Sequence, residues 1–440
     1  MVKHITVIGT GYVGLVNGAG LADFGNMVIC CDIDARKIEM LNHGQIPIYE
    51  PGLEEVVERN VATGRLSFTT DLDKAISRSE VIYIAVGTPQ SANGEADISA
   101  VMTVAERIGK NITEYKVICT KSTVPIGTGK KIIAAIKTKA GGAEFDYISN
   151  PEFLREGAAV KDFLWPDRVV IGTESDRAFK IMQDVYRPLF INETPIVHTN
   201  IATAETIKYA SNAFLALKIC YINEIANLCE AVGGDIHLVA RAMGLDGRIS
   251  SKFLHPGPGY GGSCFPKDTN ALVTMAEKEG VCISTVKAAI SANDIQKHRM
   301  VNKLRKLVGG SFDGKQIAVL GLSFKPQTDD IRDSASIVML ESLEREGALI
   351  RAYDPVALES MRKKFPEINY HDNWETAVAG AEAVVIMTEW NEFRGMDLED
   401  LGKRLSKRII LDTRNIFRPL ELKRLGFRYQ NVGRMTENFF

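Results

Sequence analysis

The sequence predicts an α/β protein with two doubly wound units joined by a long central helix, and three observations predict it. Short apolar runs alternate with helical patterns from the start: Ile5–Ile8, a helix over Tyr12–Phe24, then Val28–Cys31, Val81–Val86 and Val117–Thr120. Such alternation makes a parallel sheet with helices on both faces, because parallel strands need crossover connections. Ile201–Ala231 then carries Ala, Leu, Ile, Tyr and Phe on nearly every face and holds no Gly or Pro. It reads as one helix buried on all sides, a spine between domains or between subunits. From Lys315 the alternation returns, with Ile317–Leu320, a helix over Ser336–Glu346, Leu349–Tyr353, Val384–Met387 and Ile409–Leu411.

The boundaries that follow are 1–200, 201–300 and 301–440. Short strands at Tyr147–Ser149 and Val169–Ile171 extend the first unit to about Asn200, and the Gly/Pro-rich stretch His255–Gly262 interrupts the helical region. A chain of 440 residues is longer than one core of roughly 250–300 residues supports, so several domains are required. Apolar residues at 45% and charged residues at 25% place it among ordinary globular proteins. A net charge of -2 offers no basic field for nucleic acid, although local pockets for a phosphate-bearing small molecule remain compatible with it. Met1–Gly9 runs straight into a strand without the features of an export signal, and no apolar stretch reaches the roughly 20 residues of a membrane span. The seven cysteines are odd in number and lack C-x-x-C spacing, which points to a reducing compartment and no metal site.

Gly9-Thr10-Gly11-Tyr12-Val13-Gly14 is a G-x-G-x-x-G that follows a strand and opens a helix. Its glycines permit a tight turn, close approach of a pyrophosphate and helix–sheet contact, and the helix amides face the phosphates. Asp32 ends the second strand, where a carboxylate accepts hydrogen bonds from a ribose 2′-hydroxyl and repels a 2′-phosphate, so NAD is favoured over NADP; the competing reading is a strand cap. The first unit is thus of Rossmann type. Gly87-Thr88-Pro89 and Ser122-Thr123-Val124-Pro125 end two further strands at the carboxyl edge, although either alone is an ordinary turn. The second unit opens with Gly321-Leu322-Ser323-Phe324-Lys325, which lacks the full glycine fingerprint and suits substrate rather than dinucleotide.

Cys264 differs from the other cysteines because it lies in a glycine-rich loop just before Pro266, at a helix start and beside Lys267, where a thiolate is favoured over a thiol. It is the best nucleophile candidate, set against the commoner inert loop cysteine. Asp268 relays a proton or caps the helix. Lys208 and Asn212 share a face of the long helix at i, i+4; on a buried helix the ammonium requires a polar partner, for which a developing alkoxide serves. Asn150–Gly157 puts Glu152, Arg155 and Glu156 after a strand, with an N-capped helix and acidic first turn as the plain reading.

Four blocks together resemble the UDP-glucose/GDP-mannose dehydrogenase family over essentially the whole chain: Gly9–Gly14 with Asp32; Ser149–Gly157 followed by Pro166–Gly172; Lys208 with Asn212; and Gly259–Asp268. The resemblance implies an NAD domain, a central helical dimerisation domain carrying the cysteine loop, and a C-terminal Rossmann-like domain that holds the UDP-sugar. It also implies a cytoplasmic enzyme, a homodimer or higher homo-oligomer, that oxidises UDP-glucose to UDP-glucuronate for polysaccharide biosynthesis. By the same matching Cys264 is the catalytic thiol, Lys208 and Asn212 bind the reacting oxygen, Asp268 assists proton transfer, and Glu152 and Thr123 handle the hydrolytic water. NAD falls to Gly9, Gly11, Tyr12, Val13, Gly14, Asp32, Lys37, Thr88, Thr123, Glu156 and Arg332. Substrate falls to Glu152, Phe153, Leu154, Lys208, Asn212, Tyr260, Gly261, Phe324, Lys325 and Arg414, with Arg248 reaching a neighbouring subunit's substrate. Pro326-Gln327 departs from relatives that carry charged residues there, which leaves the local loop shape open.

The inventory suits a four-electron oxidation. A thiolate adds to an aldehyde, the thiohemiacetal gives up a second hydride, and water cleaves the resulting thioester. Two alternatives stay open: the same chemistry on UDP-N-acetylmannosamine or GDP-mannose, towards which Pro166-Asp167-Arg168 does not lean, and a single-step alcohol or 3-hydroxyacid dehydrogenase in which Cys264 is structural.

Overall fold

A computed structural model describes residues 2–91 and 94–435 of the chain. Its described residues fall into two compact units, one within 2–211 together with 277–279 and the other within 212–276 together with 280–435.

The first unit contains an eight-stranded sheet among the described residues, in the order β3-β2-β1-β4-β5-β6-β7-β8. Its strands are β1 (His4–Ile8), β2 (Met27–Cys31), β3 (Leu66–Thr69), β4 (Val81–Ile84), β5 (Lys116–Thr120), β6 (Phe145–Ser149), β7 (Val169–Gly172) and β8 (Ile196–Thr199). β1, β4 and β5 are buried nearly throughout, which is why they read as unbroken Ile/Val runs rather than alternating ones. Ile5 and Val7 pack with Leu15, Val16 and Ala19 in one layer, while Ile82, Ile84 and Ile118 pack with Ile132 and Ile136 in the other. Chain order reverses between β1 and β4, and the crevice outside the carboxyl ends of these two strands is where an open α/β sheet binds ligand.

The sheet departs from the expected all-parallel form at one place. β6 and β7 pair antiparallel through Ser149 and Gly172, because the chain returns through residues 150–168 without a full crossover. The helix expected at Asn150–Gly157 does not form; the segment is an irregular loop, and the helix is Ala159–Leu164.

The second unit has a six-stranded sheet among the described residues, in the order β11-β10-β9-β12-β13-β14 and parallel throughout. Its strands are β9 (Gln316–Leu320), β10 (Leu349–Tyr353), β11 (Asn369–Tyr370), β12 (Ala383–Ile386), β13 (Ile409–Asp412) and β14 (Arg428–Gln430). Met300, Leu304 and Leu307 of helix Ser284–Leu307 join Ile317, Val319, Met339 and Leu343 in its core.

The long helix is Ile201–Val232, one residue beyond the expected end. It is not buried on all sides: Phe214, Tyr221 and Leu228 are 63%, 49% and 56% exposed. They recur every seven residues and so form one apolar stripe open to solvent, while Tyr209, Ala216 and Ile222 are buried. No helix among the described residues is long and apolar enough to cross a membrane.

Candidate functional site

In the first unit, β1 ends at Ile8, Gly9 follows, and the helix Tyr12–Asp23 begins almost at once. Gly9 has a φ of +102°, and a Cβ on it would stand 2.7 Å from Ala85 O at the end of β4. A Cβ on Gly14 would stand 1.9 Å from Gly9 O, so the turn closes only with glycine there, whereas a Cβ on Gly11 would meet nothing within 4 Å. The turn is therefore tight on the protein side and open on the other, the shape a pyrophosphate at a helix N-terminus requires.

Asp32 follows β2 and is half-buried. Its carboxylate accepts from the Thr10 amide at 2.7 Å, the Thr10 hydroxyl at 2.8 Å and the Asp34 amide at 3.0 Å. Burial pushes its pKa up, but these hydrogen bonds and the nearby Lys37 outweigh that and hold it below the usual value. An ionised carboxylate at this edge suits a ribose diol and opposes a 2′-phosphate. Thr88 donates to Thr123 O at 2.8 Å, tying together the two turns at the ends of β4 and β5.

The Tyr12 hydroxyl donates to Glu50, and the Gly157 amide donates to it at 3.0 Å. Glu50 also accepts from the Gly157 amide at 2.6 Å and the Ala159 amide at 2.7 Å, so this carboxylate pins the 150–159 loop to the dinucleotide turn. Glu156 and Val13 are partly exposed on these same segments. On that loop Glu152 is buried, and buried Lys208 donates to its carboxylate at 2.8 Å and to its carbonyl oxygen at 2.7 Å. The buried ammonium requires a polar or anionic partner, and the chain itself supplies one in Glu152. Glu152 accepts from the Leu154 amide at 2.5 Å, and Phe153 lies with its ring 3.5 Å from the Arg168 guanidinium.

The second unit builds the cysteine loop. The Asp268 amide donates to Cys264 O at 2.8 Å, so Cys264 occupies the N-cap position of helix Phe265–Lys278, where the helix dipole favours a thiolate. Cys264 is partly exposed, and its Sγ lies 3.5 Å from Ser263 Oγ. Burial pushes Cys30, Cys31 and Cys220 up to about 12 and raises Cys119 and Cys229 as well, so all five are held as thiols. Asp268 is buried on the helix's first turn, accepts from Asn212 at 2.6 Å and pairs with Lys267 at 2.6 Å.

The loop is fastened from behind by residues that carry no motif. Asn293 accepts from the Tyr260 amide at 2.7 Å and donates to Tyr260 O at 3.0 Å, Asn223 accepts from the Gly257 amide at 2.8 Å, and Gln296 donates to Gly257 O at 2.8 Å. Its face is pressed onto the stretch after β9: a Cβ on Gly261 would stand 2.4 Å from Asp333 O, and one on Gly262, at φ +82°, 2.7 Å from the Phe324 ring. Arg414 donates to Phe324 O at 2.9 Å and Met387 O at 2.8 Å and pairs with Glu389 at 3.1 Å. The structure thus brings Tyr260, Gly261, Cys264, Phe324 and Arg414 into one neighbourhood. Lys325 is partly exposed beside Phe324, and Arg332 is exposed and paired with Asp330 at 2.8 Å. Arg248 stands apart, its side chain 90% exposed and paired with Asp246 at 2.6 Å. Glu50, Asn223, Asn293 and Gln296 escaped sequence reasoning because lone polar residues on amphipathic segments look solvated.

Comparison with known proteins matches the chain to three models of the UDP-glucose/GDP-mannose dehydrogenase family: the NAD binding domain over residues 3–190, the central domain over 202–295 and the UDP binding domain over 318–419. A UDP-glucose 6-dehydrogenase of Rhizobium meliloti (strain 1021) is 50% identical, covering 98% of this chain and 99% of that one. The structure of a UDP-glucose dehydrogenase from the archaeon Pyrobaculum islandicum superposes with a TM-score of 0.92 at 36% identity over 98% of each chain. A UDP-D-ManNAc dehydrogenase from Pyrococcus horikoshii gives 0.86 at 28%, over 98% of this chain and 99% of that one.

Proposed function

The chain belongs to the UDP-glucose/GDP-mannose dehydrogenase family, and from that premise we propose that it is an NAD-dependent UDP-glucose 6-dehydrogenase that oxidises the primary alcohol to UDP-glucuronate in two steps. The observation that carries this reading is Cys264, partly exposed at a helix N-terminus while five other cysteines are buried thiols. The single-step alternative leaves that placement without a purpose.

Gly9, Gly11 and Gly14 would hold NAD, with Asp32 and Lys37 towards its ribose, and bound NAD would supply the hydride acceptor for both oxidations. Lys208 and Asn212, one turn apart on the long helix, are the donors for the reacting oxygen as it becomes an alkoxide and later an oxyanion. Asp268, coupled to Asn212 and Lys267, takes up and returns the proton. The Cys264 thiolate adds to the aldehyde carbon to give a thiohemiacetal; loss of its hydride leaves a thioester. Glu152 takes a proton from the water that cleaves the thioester, with Thr123 beside it, releasing carboxylate and thiol. The UDP moiety is assigned to the second unit through Tyr260, Gly261, Phe324, Lys325 and Arg414, and Glu156 and Arg332 to the cofactor's edge. Phe153 and Leu154 line the sugar.

The three-part division at 1–200, 201–300 and 301–440 and the cytoplasmic location are part of the same proposal. So is a homodimer or higher oligomer: the exposed stripe of Phe214, Tyr221 and Leu228 supports packing of a second copy, and Arg248, exposed though paired with Asp246, is the arginine assigned to its substrate. A second reading keeps the chemistry and exchanges the sugar for UDP-N-acetylmannosamine or GDP-mannose; 50% identity to a UDP-glucose enzyme against 28% to the UDP-D-ManNAc enzyme favours UDP-glucose. NADH formation across a panel of nucleotide sugars tests both identity and stoichiometry. Two NADH per UDP-glucose consumed is the expected result; one per sugar, or none, rejects the reading.

A further inference from the structure

Lys121 follows β5 at its carboxyl end and is buried. Its ammonium donates to Asn150 Oδ1 at 3.1 Å and to the Tyr186 hydroxyl oxygen at 3.3 Å, and among the described residues no carboxylate lies within ion-pair distance of it. Burying an ammonium against neutral acceptors is costly. The cost shows in its acidity: burial pushes its pKa down to about 8, against the pull of Cys119 and Glu152 and with the repulsion of Lys208.

Packing does not account for the residue. The Tyr186 hydroxyl donates to Asn150 Oδ1 at 2.7 Å, and Asn150 Nδ2 donates to Val170 O at 2.7 Å, so both neighbours keep a partner without Lys121. A methionine there would fill the space at no electrostatic cost. Its acceptor Asn150 stands two residues before Glu152, which is bonded to Lys208 and whose charge acts on the Lys121 ammonium. The other groups facing this pocket are the Cys119 thiol, the Tyr186 hydroxyl and, through it, the Tyr83 hydroxyl, all raised by burial and therefore neutral.

We propose that Lys121 is a positioning residue for Glu152, a second buried cation that, through Asn150 and alongside Lys208, holds the Glu152 carboxylate in place for activation of the water that cleaves the acyl-enzyme. The proposal rests on the role given to Glu152 above. It makes Lys121 a group that weakens the fold and serves the reaction, and the two consequences separate on measurement.

The test uses the full chain as wild type, Lys121→Met and Lys121→Gln, with UDP-glucose and NAD. Both variants keep their wild-type Tm or gain a few degrees. Both lose kcat by roughly tenfold or more with little change in KM, because hydrolysis slows and binding does not. NADH then appears as a burst of two per active site, followed by a slow steady state. Unchanged kcat and no burst in both variants overturn the proposal, as does a Tm that falls in step with activity. Recovery of wild-type kcat in Lys121→Gln also overturns it, because polarity rather than charge would then suffice. If wild type itself forms no NADH from UDP-glucose, the functional reading fails, and the proposal with it; a normal wild type with unaffected variants defeats the proposal alone.

Discussion

In the first unit β1 ends at Ile8, Gly9 follows and a helix begins at Tyr12; in the second β9 ends at Leu320, Gly321 follows and the helix waits until Ala335. Both glycines have positive φ, +102° and +90°, and both second strands are followed by an aspartate, Asp32 and Asp354. The aspartates are used in opposite ways. Asp32 is half-buried with three hydrogen bonds from Thr10 and Asp34. Asp354 is fully buried and accepts from the amides of Leu322, Ser323, Val356 and Ala357, the Ser323 hydroxyl and the Trp390 indole. One sheet leaves its carboxylate open to a ligand; the other spends every lone pair bracing a longer loop that holds Phe324 against the cysteine turn. Shared topology therefore fixes where a ligand can lie, and exposure of one side chain decides which.

Replacing Asp354 by Ala is the most damaging way to break this contrast. It leaves several buried donors unpaired and costs about 3–5 kcal/mol, read as a lower denaturation midpoint with NAD affinity intact in the surviving folded protein. A pH titration sharpens it from another side. Burial pushes Asp412, at the end of β13, up to about 6 despite its hydrogen bonds from Phe417, Arg414 and Tyr429. A folded value above the unfolded one gives stability that is full below the ordinary 3.8 and lost as pH rises through about 6. Wild type should therefore lose on the order of 3 kcal/mol relative to Asp412→Asn between pH 4 and 7, measured as the difference between their urea midpoints. Asp32, whose shift is downward, contributes with the opposite sign.

Gly14→Ala should weaken NAD binding by roughly 10²-fold, since the methyl group would fall 1.9 Å from Gly9 O and spread the turn. Gly321→Ala, which would stand 2.5 Å from the Thr388 amide, should lower stability and leave the KM for NAD alone. The smallest effect is that of Asp32→Ala: KM for NAD rises about tenfold, Tm barely moves, and discrimination against NADP shrinks. A large fall in Tm here and a small one in Asp354→Ala would invert the comparison.

Local signals carried much of this. The glycine turn, Asp32 and the cysteine loop were legible because each needs particular residue types at fixed spacing beside a strand or helix end. The long helix was legible in extent but not in burial: Phe214, Tyr221 and Leu228 have the same hydrophobicity as its buried face, and composition does not say whether the covering surface lies in the same chain. The antiparallel step at β7 was hidden because Val169–Ile171 pairs alike in either direction. Glu50, Lys121, Asn293 and Asp354 act across long sequence separations, through contacts that only the folded chain creates.

The most direct test of the account is covalent. In Glu152→Gln, incubated with UDP-glucose and NAD and quenched in acid, the peptide containing Cys264 should carry a UDP-glucuronyl thioester detectable by mass spectrometry. Steady formation of UDP-glucuronate by Cys264→Ala, or a Cys264 peptide that stays unmodified while Glu152→Gln accumulates NADH, would contradict it.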